Sequence, residues 1–388
     1  MVQRHVAMLV LALAAIAPSA AAADIGATDD PLSLKVHGFV SQGAILTTKN
    51  DYLVQDSTRG SFQLSEMGLN VTKSLTDKLR AGMQLFAQNF GWGGNYNVKA
   101  DWFYLDYRHD NWLGFRAGRM NIPFGLFNEI NDVDSARVPI LLPQSVYPLQ
   151  TRAFLFAQTG FELYGFARLG SAGALDYRLY GGTIFLDAST LTPPGSALQY
   201  QLQFNVPYLA GGRLLWETPL EGLRIGASVQ GLRMNTTAFL PAAMTGVIES
   251  HVLWWIGSAE YSLGDMTLTA EYSRWHTRQE SALPGNTLTD ESERGYGMLT
   301  YRVMPWLHPG VYYALHFPHV ENRQGRANQQ HDVAATLRFD INDSWIVKLE
   351  SHFMSGTAGL TNPLRFGPPL DGLATNWWAF LVKTTAHF

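Results

Sequence analysis

Long segments in which every second residue is apolar set the strongest limit on how this chain folds. From Thr76 to Gln88, Leu79, Ala81, Met83, Leu85 and Ala87 fall on one face and Arg80, Gly82, Gln84, Phe86 and Gln88 on the other. Gly222–Gln230 repeats the pattern, with Leu223, Ile225, Ala227 and Val229 against Arg224, Gly226, Ser228 and Gln230. So does Asp265–Ser273, with Met266, Leu268, Ala270 and Tyr272 against Thr267, Thr269, Glu271 and Ser273. A period of two belongs to the β-strand, whose successive side chains point to opposite faces. Strands of soluble sandwiches are usually about five or six residues long. These segments run to roughly 10–14, the length a tilted strand needs to cross a bilayer.

The breaks between segments alternate in length. Short breaker clusters lie at Ser74–Asp77, His109–Asn111, Gly170–Gly173, Thr218–Gly222, Leu263–Asp265, Pro305–Pro309 and Asp340–Asp343. Longer connections are expected over 47–59, 91–98, 122–158, 187–200, 235–248, 278–290, 319–327 and 356–374. Seven short turns and eight long loops predict an all-β, antiparallel transmembrane barrel of sixteen strands, with both termini at the short-turn end. Closure follows from the bilayer, because every backbone N–H and C=O in hydrocarbon needs a partner and a sheet with an edge leaves some unpaired. Trp112, Tyr261, Trp306 and Trp345 beside the short turns, and Trp92, Trp275 and Trp377 beside the long loops, read as two interfacial girdles. Strand boundaries are least defined over 196–217, where Pro207 interrupts the pattern, and over 291–303. Proline removes a ladder donor, so Pro207 is expected at a strand end or bulge.

Composition narrows the class further. Residues 1–23 read as a cleaved export signal: Arg4 is the positive n-region, Val6–Ala17 the apolar h-region, and Ala21 and Ala23 precede the cleavage point. The h-region is too short for a spanning helix, and no later apolar stretch approaches 18 residues, which excludes a helical membrane protein. Residues 24–388 then form one barrel domain. Charged residues are 15 %, against roughly 25 % in an ordinary soluble protein. With 28 Lys+Arg against 32 Asp+Glu there is no basic excess to neutralise phosphates, so nucleic acid is not an expected partner. Zero cysteines exclude a disulfide scaffold and a lipoprotein.

Gly114–Glu129 reads GFRAGRMNIPFGLFNE. A strand ending in xGRxxxPFG before a long loop resembles the superfamily of phosphate-selective porins and related general bacterial porins. The terminal Phe388, with apolar or aromatic residues at alternate positions before it, resembles the signal read by the outer-membrane barrel-assembly machinery. The resemblance implies a homotrimer in the outer membrane of a Gram-negative bacterium, among lipid and lipopolysaccharide, whose third long loop folds into the lumen. Phosphate-selecting members hold the anion with clustered Arg and Lys, partly on that loop. Here the pattern departs, for 122–158 carries no Lys and two Arg, Arg137 and Arg152, beside Glu129, Asp132 and Asp134.

Loop 122–158 is far longer than the usual 12–15-residue ceiling for structureless connections. Its middle, VPILLPQSVYPL, is too apolar for disorder and must pack against something. The barrel interior is the expected surface, an external cap or subunit contact the alternative. Alternation places Arg116, Arg178, Arg213, Lys348, Lys383, Glu66, Asp106, Glu271 and Glu350 on the lumen face near mid-strand. On the lipid face an Arg or Lys would cost about 2–4 kcal/mol at the midplane. These residues either set a field across the pore or merely pair as salt bridges. With the loop included the charges come close to balance, which predicts weak ion selectivity and a transverse field between loop acids and Arg116, Arg178 and Arg213.

Catalytic and metal motifs are missing from the sequence. There is no HExxH, GxSxG or P-loop, and no cofactor is expected. His316 and His319 lie three apart, on opposite faces of a strand, as do the pairs Ser250/His251 and Ser351/His352. The expected function is passive diffusion of small hydrophilic solutes or ions. The alternative is a substrate-specific channel, for phosphate or other anions or for sugars or aromatic acids, with a binding site at the constriction. Lumen aromatics Phe39, Trp102, Tyr104, Tyr164, Phe166 and Tyr312 supply stacking surfaces for it.

Overall fold

The computed structural model describes residues 24–25, 34–91, 94–186, 202–240, 244–281, 287–360 and 372–388. A two-residue strand β1 (Asp24–Ile25) pairs with the start of β2 (Leu34–Thr47). There follow β3 (Ser61–Ser74), β4 (Leu79–Asn89), β5 (Lys99–Asp110), β6 (Leu113–Asn121), β7 (Ala157–Arg168), β8 (Ala174–Thr183) and β9 (Leu202–Glu217). The second half comprises β10 (Leu223–Leu240), β11 (Met244–Leu263), β12 (Met266–Ser281), β13 (Thr287–Tyr301), β14 (Leu307–Phe317), β15 (Gln330–Asn342), β16 (Trp345–Gly356) and β17 (Asn376–His387).

Each strand from β2 to β17 pairs antiparallel with its neighbours in sequence, and β17 returns to pair with β2 from Ala379↔Thr47 to His387↔Phe39. The result is a closed barrel of sixteen strands, as the spacing of breaks predicts. All seven short turns fall where expected. No helix among the described residues is long and apolar enough to cross a membrane. Alternation sorts the wall as read: Leu268, Ala270 and Tyr272 face outward while Thr269, Glu271 and Ser273 are buried inside. Pro207 lies within β9, opposite a register shift between Arg233 and Asn235 of β10, so the missing donor falls at a bulge.

Two expected loops are largely strand. β10 and β11 continue to Leu240 and Met244, and β12 and β13 to Ser281 and Thr287, leaving only 241–243 and 282–286 outside the described strands. Beyond the bilayer a hairpin can be polar on both faces, so the alternation that marks a strand disappears while ladder pairing continues. The signal 1–23, the loop 187–200 and Trp92 lie outside the described residues. The girdle beside the long loops also differs from expectation. Trp275 and Trp377 point inward, packing on Trp254 and Tyr52, while Trp255 and Trp378 face outward. Adjacent aromatic pairs at 254–255 and 377–378 supply both faces, and the alternation cannot say which member is which from one residue alone.

Phe388 closes the seam. Its backbone exchanges two hydrogen bonds with Gly38, each 3.0 Å, and its ring lies on the outer wall over that glycine. A Cβ at Gly38 would come 2.6 Å from the ring, so any larger residue there must displace it.

Candidate functional site

The chain leaves β6 through two glycines of the xGRxxxPFG stretch. Gly118 has φ 137° and Gly125 φ 62°, backbone that L side chains rarely adopt. A Cβ on Gly125 would stand 2.4 Å from the Tyr147 hydroxyl and 2.8 Å from Glu271. The connection then runs from 122 to 156, through short 3-10 turns and a single-turn helix α1 (Arg152–Leu155), before β7 begins.

Along this course the loop is fixed to the inner wall. Its apolar residues Ile122, Phe124, Leu142, Val146 and Leu155 pack on the inward faces of β8 to β15, including Leu209, Leu232, Trp254, Ile256 and Met298. Burying side chains of this size stabilises by about 1.5–3 kcal/mol each. Its backbone is held by wall carboxylates. Glu350 accepts from the N–H groups of Ile140 (2.7 Å) and Leu141 (2.9 Å), and Glu271 accepts from Leu126 N–H (3.0 Å) and the Tyr147 hydroxyl. Wall cations hold carbonyls: Lys348 Nζ donates to Asp134 O (2.7 Å) and Arg137 O (2.8 Å), and Arg338 to Ser135 O (2.7 Å).

Two loop acids settle on like-charged pairs of the wall. Arg178 and Arg213 stand directly opposite on β8 and β9, and Lys348 and Lys383 directly opposite on β16 and β17. Like charges in such positions repel. Glu129 bridges the arginines, 2.9 Å from Arg178 and 2.7 Å from Arg213. Asp134 bridges the lysines at 3.0 and 3.4 Å and accepts from Thr385 at 2.7 Å. Burial pushes both carboxyls up, but the surrounding cations outweigh it and hold both below the ordinary carboxylate range. Glu66 completes the lysine cluster, 2.5 Å from Lys383, and Arg137 lies 3.8 Å from Asp134.

On the side of β4 to β9 the charges form a ladder. Arg80, Asp106, Arg116 and Glu162 are direct cross-strand neighbours in one row, linked at 2.7, 3.4 and 3.1 Å. Arg178, diagonal to the row and opposite Tyr164, also reaches Glu162 (3.2 Å), and Asp176 meets both Arg178 (3.7 Å) and Arg213 (3.4 Å). Arg116 also lies over the rings of Tyr164 (4.4 Å) and Tyr104 (5.3 Å), and Tyr104 stacks on Trp102 at 5.4 Å. Asn70, Gln84, Trp102, Tyr104, Arg116, Asn121, Glu129 and Asp132 line a polar space of about 190 Å³ between ladder and loop. At its edge Arg152 joins Asp101 (2.9 Å) and Asp132 and covers the Phe156 ring at 3.6 Å. Burial, with Asp101 adding, raises the Asp132 carboxyl to about 7 against the pull of Arg152.

All nine wall residues read from the alternation face inward, as do the six aromatics. The loop acids do not all face the arginine wall. Only Glu129 does; Asp134 turns to the lysine pair and Asp132 to Arg152 in its own loop. Lys348, Lys383, Glu66, Glu271 and Glu350 are at most 4 % exposed, held against the loop or each other. The solvent-touching charges are Arg80 (42 %), Asp176 (31 %) and Glu129 (25 %), with Arg116 and Arg178 partly so. Glu162 and Asp176 share faces with Tyr164 and Arg178 and were legible in the same alternation. Asp101 was not, because a register shift between Gln84 and Leu85 turns it inward out of phase.

No family model matches the chain, and no curated protein matches it either. Solved structures do. OmpT of Vibrio cholerae, an outer membrane protein also solved in a trimer form, superposes with a TM-score of 0.58 at 12 % identity, over 95 % of this chain and 100 % of its own. DcaP, an outer membrane channel of Acinetobacter baumannii, gives 0.57 at 12 % over 94 % and 100 %. An anion-selective porin from Comamonas acidovorans gives 0.56 at 14 % over 92 % and 99 %. The chain shares the fold of outer-membrane porins, and its closed barrel with an apolar outer wall places it in the outer membrane.

Proposed function

We propose that the protein is a trimeric diffusion channel for small hydrophilic solutes, narrowed by the loop 122–156, and that it carries no catalytic activity. In this reading residues 1–23 direct export, Phe388 engages the assembly machinery, and the barrel 24–388 sits among lipid and lipopolysaccharide. The observation that carries it is the asymmetric docking of the loop. It is sealed by apolar packing and buried ion pairs onto β8 to β17, while facing β3 to β6 across a polar space lined by partly solvated charges. Water and solutes pass where charges stay hydrated, not where side chains interdigitate. The ladder is balanced, Arg80, Arg116, Arg178 and Arg213 against Asp106, Glu129, Glu162 and Asp176, so no ring of one sign filters ions and selectivity is weak.

A second reading, a solute-specific channel, draws on the stacked Trp102–Tyr104 pair beside the same space, a flat platform suited to sugars. Planar-bilayer recording separates the two. A diffusion channel conducts steadily with a small reversal potential in a salt gradient, and deleting 131–150 raises its conductance severalfold. Strong anion selectivity with block by phosphate, or block by millimolar sugar, defeats the general reading. Unchanged conductance in the deletion places the loop outside the conducting path.

A further inference from the structure

A second cavity, of about 640 Å³, opens between loop residues Gln144, Ser145 and Pro148 and the long-loop ends of β12 to β16. Its volume is that of a small-molecule site. Three charged groups that are not histidines line it. Asp290 has a partner in His319 at 2.8 Å, and Asp332 has one in His352 at 3.0 Å. The third, Arg294, has no carboxylate partner among the described residues. Its Nη1 donates to Ser145 O (3.0 Å), its Nε to Ser292 Oγ (3.2 Å), and its guanidinium lies 3.7 Å over Trp275. Its Nη2 makes no hydrogen bond among the described residues.

Arg294 is half-buried, and a partly desolvated cation without a counter-ion favours an anionic visitor. Directly opposite Arg294 in register, on β14, stands His316, which lines the same cavity and whose Nε2 has no hydrogen-bond partner among the described residues. Arg294 Nη2 is thus a donor left over, with the His316 ring beside it. The rest of the lining mixes polar residues with apolar ones, among them Leu53, Ala314 and Met354. We infer that this cavity binds a small organic monoanion with a flat apolar body, its carboxylate held by Arg294 Nη2 and its body against Leu53, Ala314 and Met354. The site lies at the mouth of the proposed channel, but binding does not require conduction.

The test is calorimetric titration of the full-length protein in detergent with benzoate and with benzamide, its neutral isostere. Benzoate is expected to bind at least tenfold tighter than benzamide. Arg294→Gln is expected to weaken benzoate about tenfold or more, the scale of one charge-assisted hydrogen bond, and to leave benzamide unchanged. Should Arg294→Gln fail to fold, Ser292→Asp supplies the missing counter-ion internally and is expected to abolish the preference for benzoate. Equal binding of the two probes, a preference that survives either substitution, or displacement of benzoate by equimolar phosphate would overturn the inference. Conductance of the same preparation reports on the channel separately: a conducting protein without the preference loses this site alone.

Discussion

Lys348 and Lys383 face each other directly across β16 and β17 and share a single carboxylate oxygen of Asp134. Arg178 and Arg213 face each other likewise on β8 and β9, each taking one oxygen of Glu129. In each case the loop adds a carboxylate between two like-charged wall residues, which the wall acids Glu162 and Asp176, or Glu66, neutralise only in part. Registry of the loop is thereby fixed at two places on roughly opposite stretches of the barrel, with the apolar contacts filling the interval.

The two latches differ in depth, and that decides their relative strength. The Asp134, Lys348 and Lys383 side chains are all at most 2 % exposed, whereas Glu129 is 25 % exposed. Removing one member of a fully buried pair costs about 3–5 kcal/mol, because the partner is left charged and unpaired. Asp134→Asn is therefore expected to destabilise the barrel by that amount. Glu129→Gln, whose arginines keep Glu162 and Asp176, is expected to cost clearly less. Midpoints of thermal unfolding, read by gel mobility, check the order; equal losses would show that burial does not set the strength of the latches.

Asp132 provides a pH dependence with a definite sign. Its carboxyl is raised to about 7, burial being the main cause, against about 3.9 for a free aspartate. A raised value means that ionisation disfavours the folded state, so the docked loop loses stability as pH climbs from about 4 to 7. The local charge changes too. With Asp132 protonated, Asp101 and Arg152 cancel; once it ionises, the edge of the polar space carries one negative charge. The cation-to-anion permeability ratio is expected to rise between pH 6 and 8, and to stay flat in Asp132→Asn. A ratio that rises equally in the variant would assign the titration elsewhere.

The barrel was legible because the bilayer imposes one rule on every strand: apolar outside, breaks at fixed spacing. Where that rule stops, so did the reading. The hairpins β10–β11 and β12–β13 outrun the membrane and lose their alternation, and were expected to be loops. The seat of the loop on the inner wall was not legible for the opposite reason: at 252–256, Val-Leu-Trp-Trp-Ile is apolar on both faces, so nothing local marks Trp254 and Ile256. Individual wall charges were found because each lies on a strand of known phase. Their partners were not, because Asp134 and Lys348 meet across more than two hundred residues and only the fold brings them together.

Arg116 is the wall cation best placed to bias ion flow. It sits between Asp106 and Glu162, is 17 % exposed, and lines the polar space directly. Arg116→Gln leaves both acids with other partners, Arg80 and Arg178, so the ladder should hold while its balance tips by one negative charge. The reversal potential in a salt gradient is expected to move towards cations, with conductance nearly unchanged. A shift towards anions would mean that the ladder charges do not face the permeating ions.

Phe388 admits two explanations that one glycine can separate. Its ring and two backbone hydrogen bonds close the seam against Gly38, and it is also the terminal aromatic expected to be read during assembly. Deleting Phe388 removes both roles. Gly38→Val removes only the seat: a Cβ there already stands 2.6 Å from the ring, so the ring must swing away, yet the terminal residue is intact. If recognition governs, the deletion is expected to lower the amount of protein in the outer membrane several-fold while Gly38→Val assembles nearly normally. If seam packing governs, both variants fall together. In either case the molecules that do insert are expected to conduct as the parent does, since ring and glycine lie on the outer wall, away from the polar space. A changed single-channel conductance in the survivors would show that the seam, and not only assembly, depends on the terminal ring.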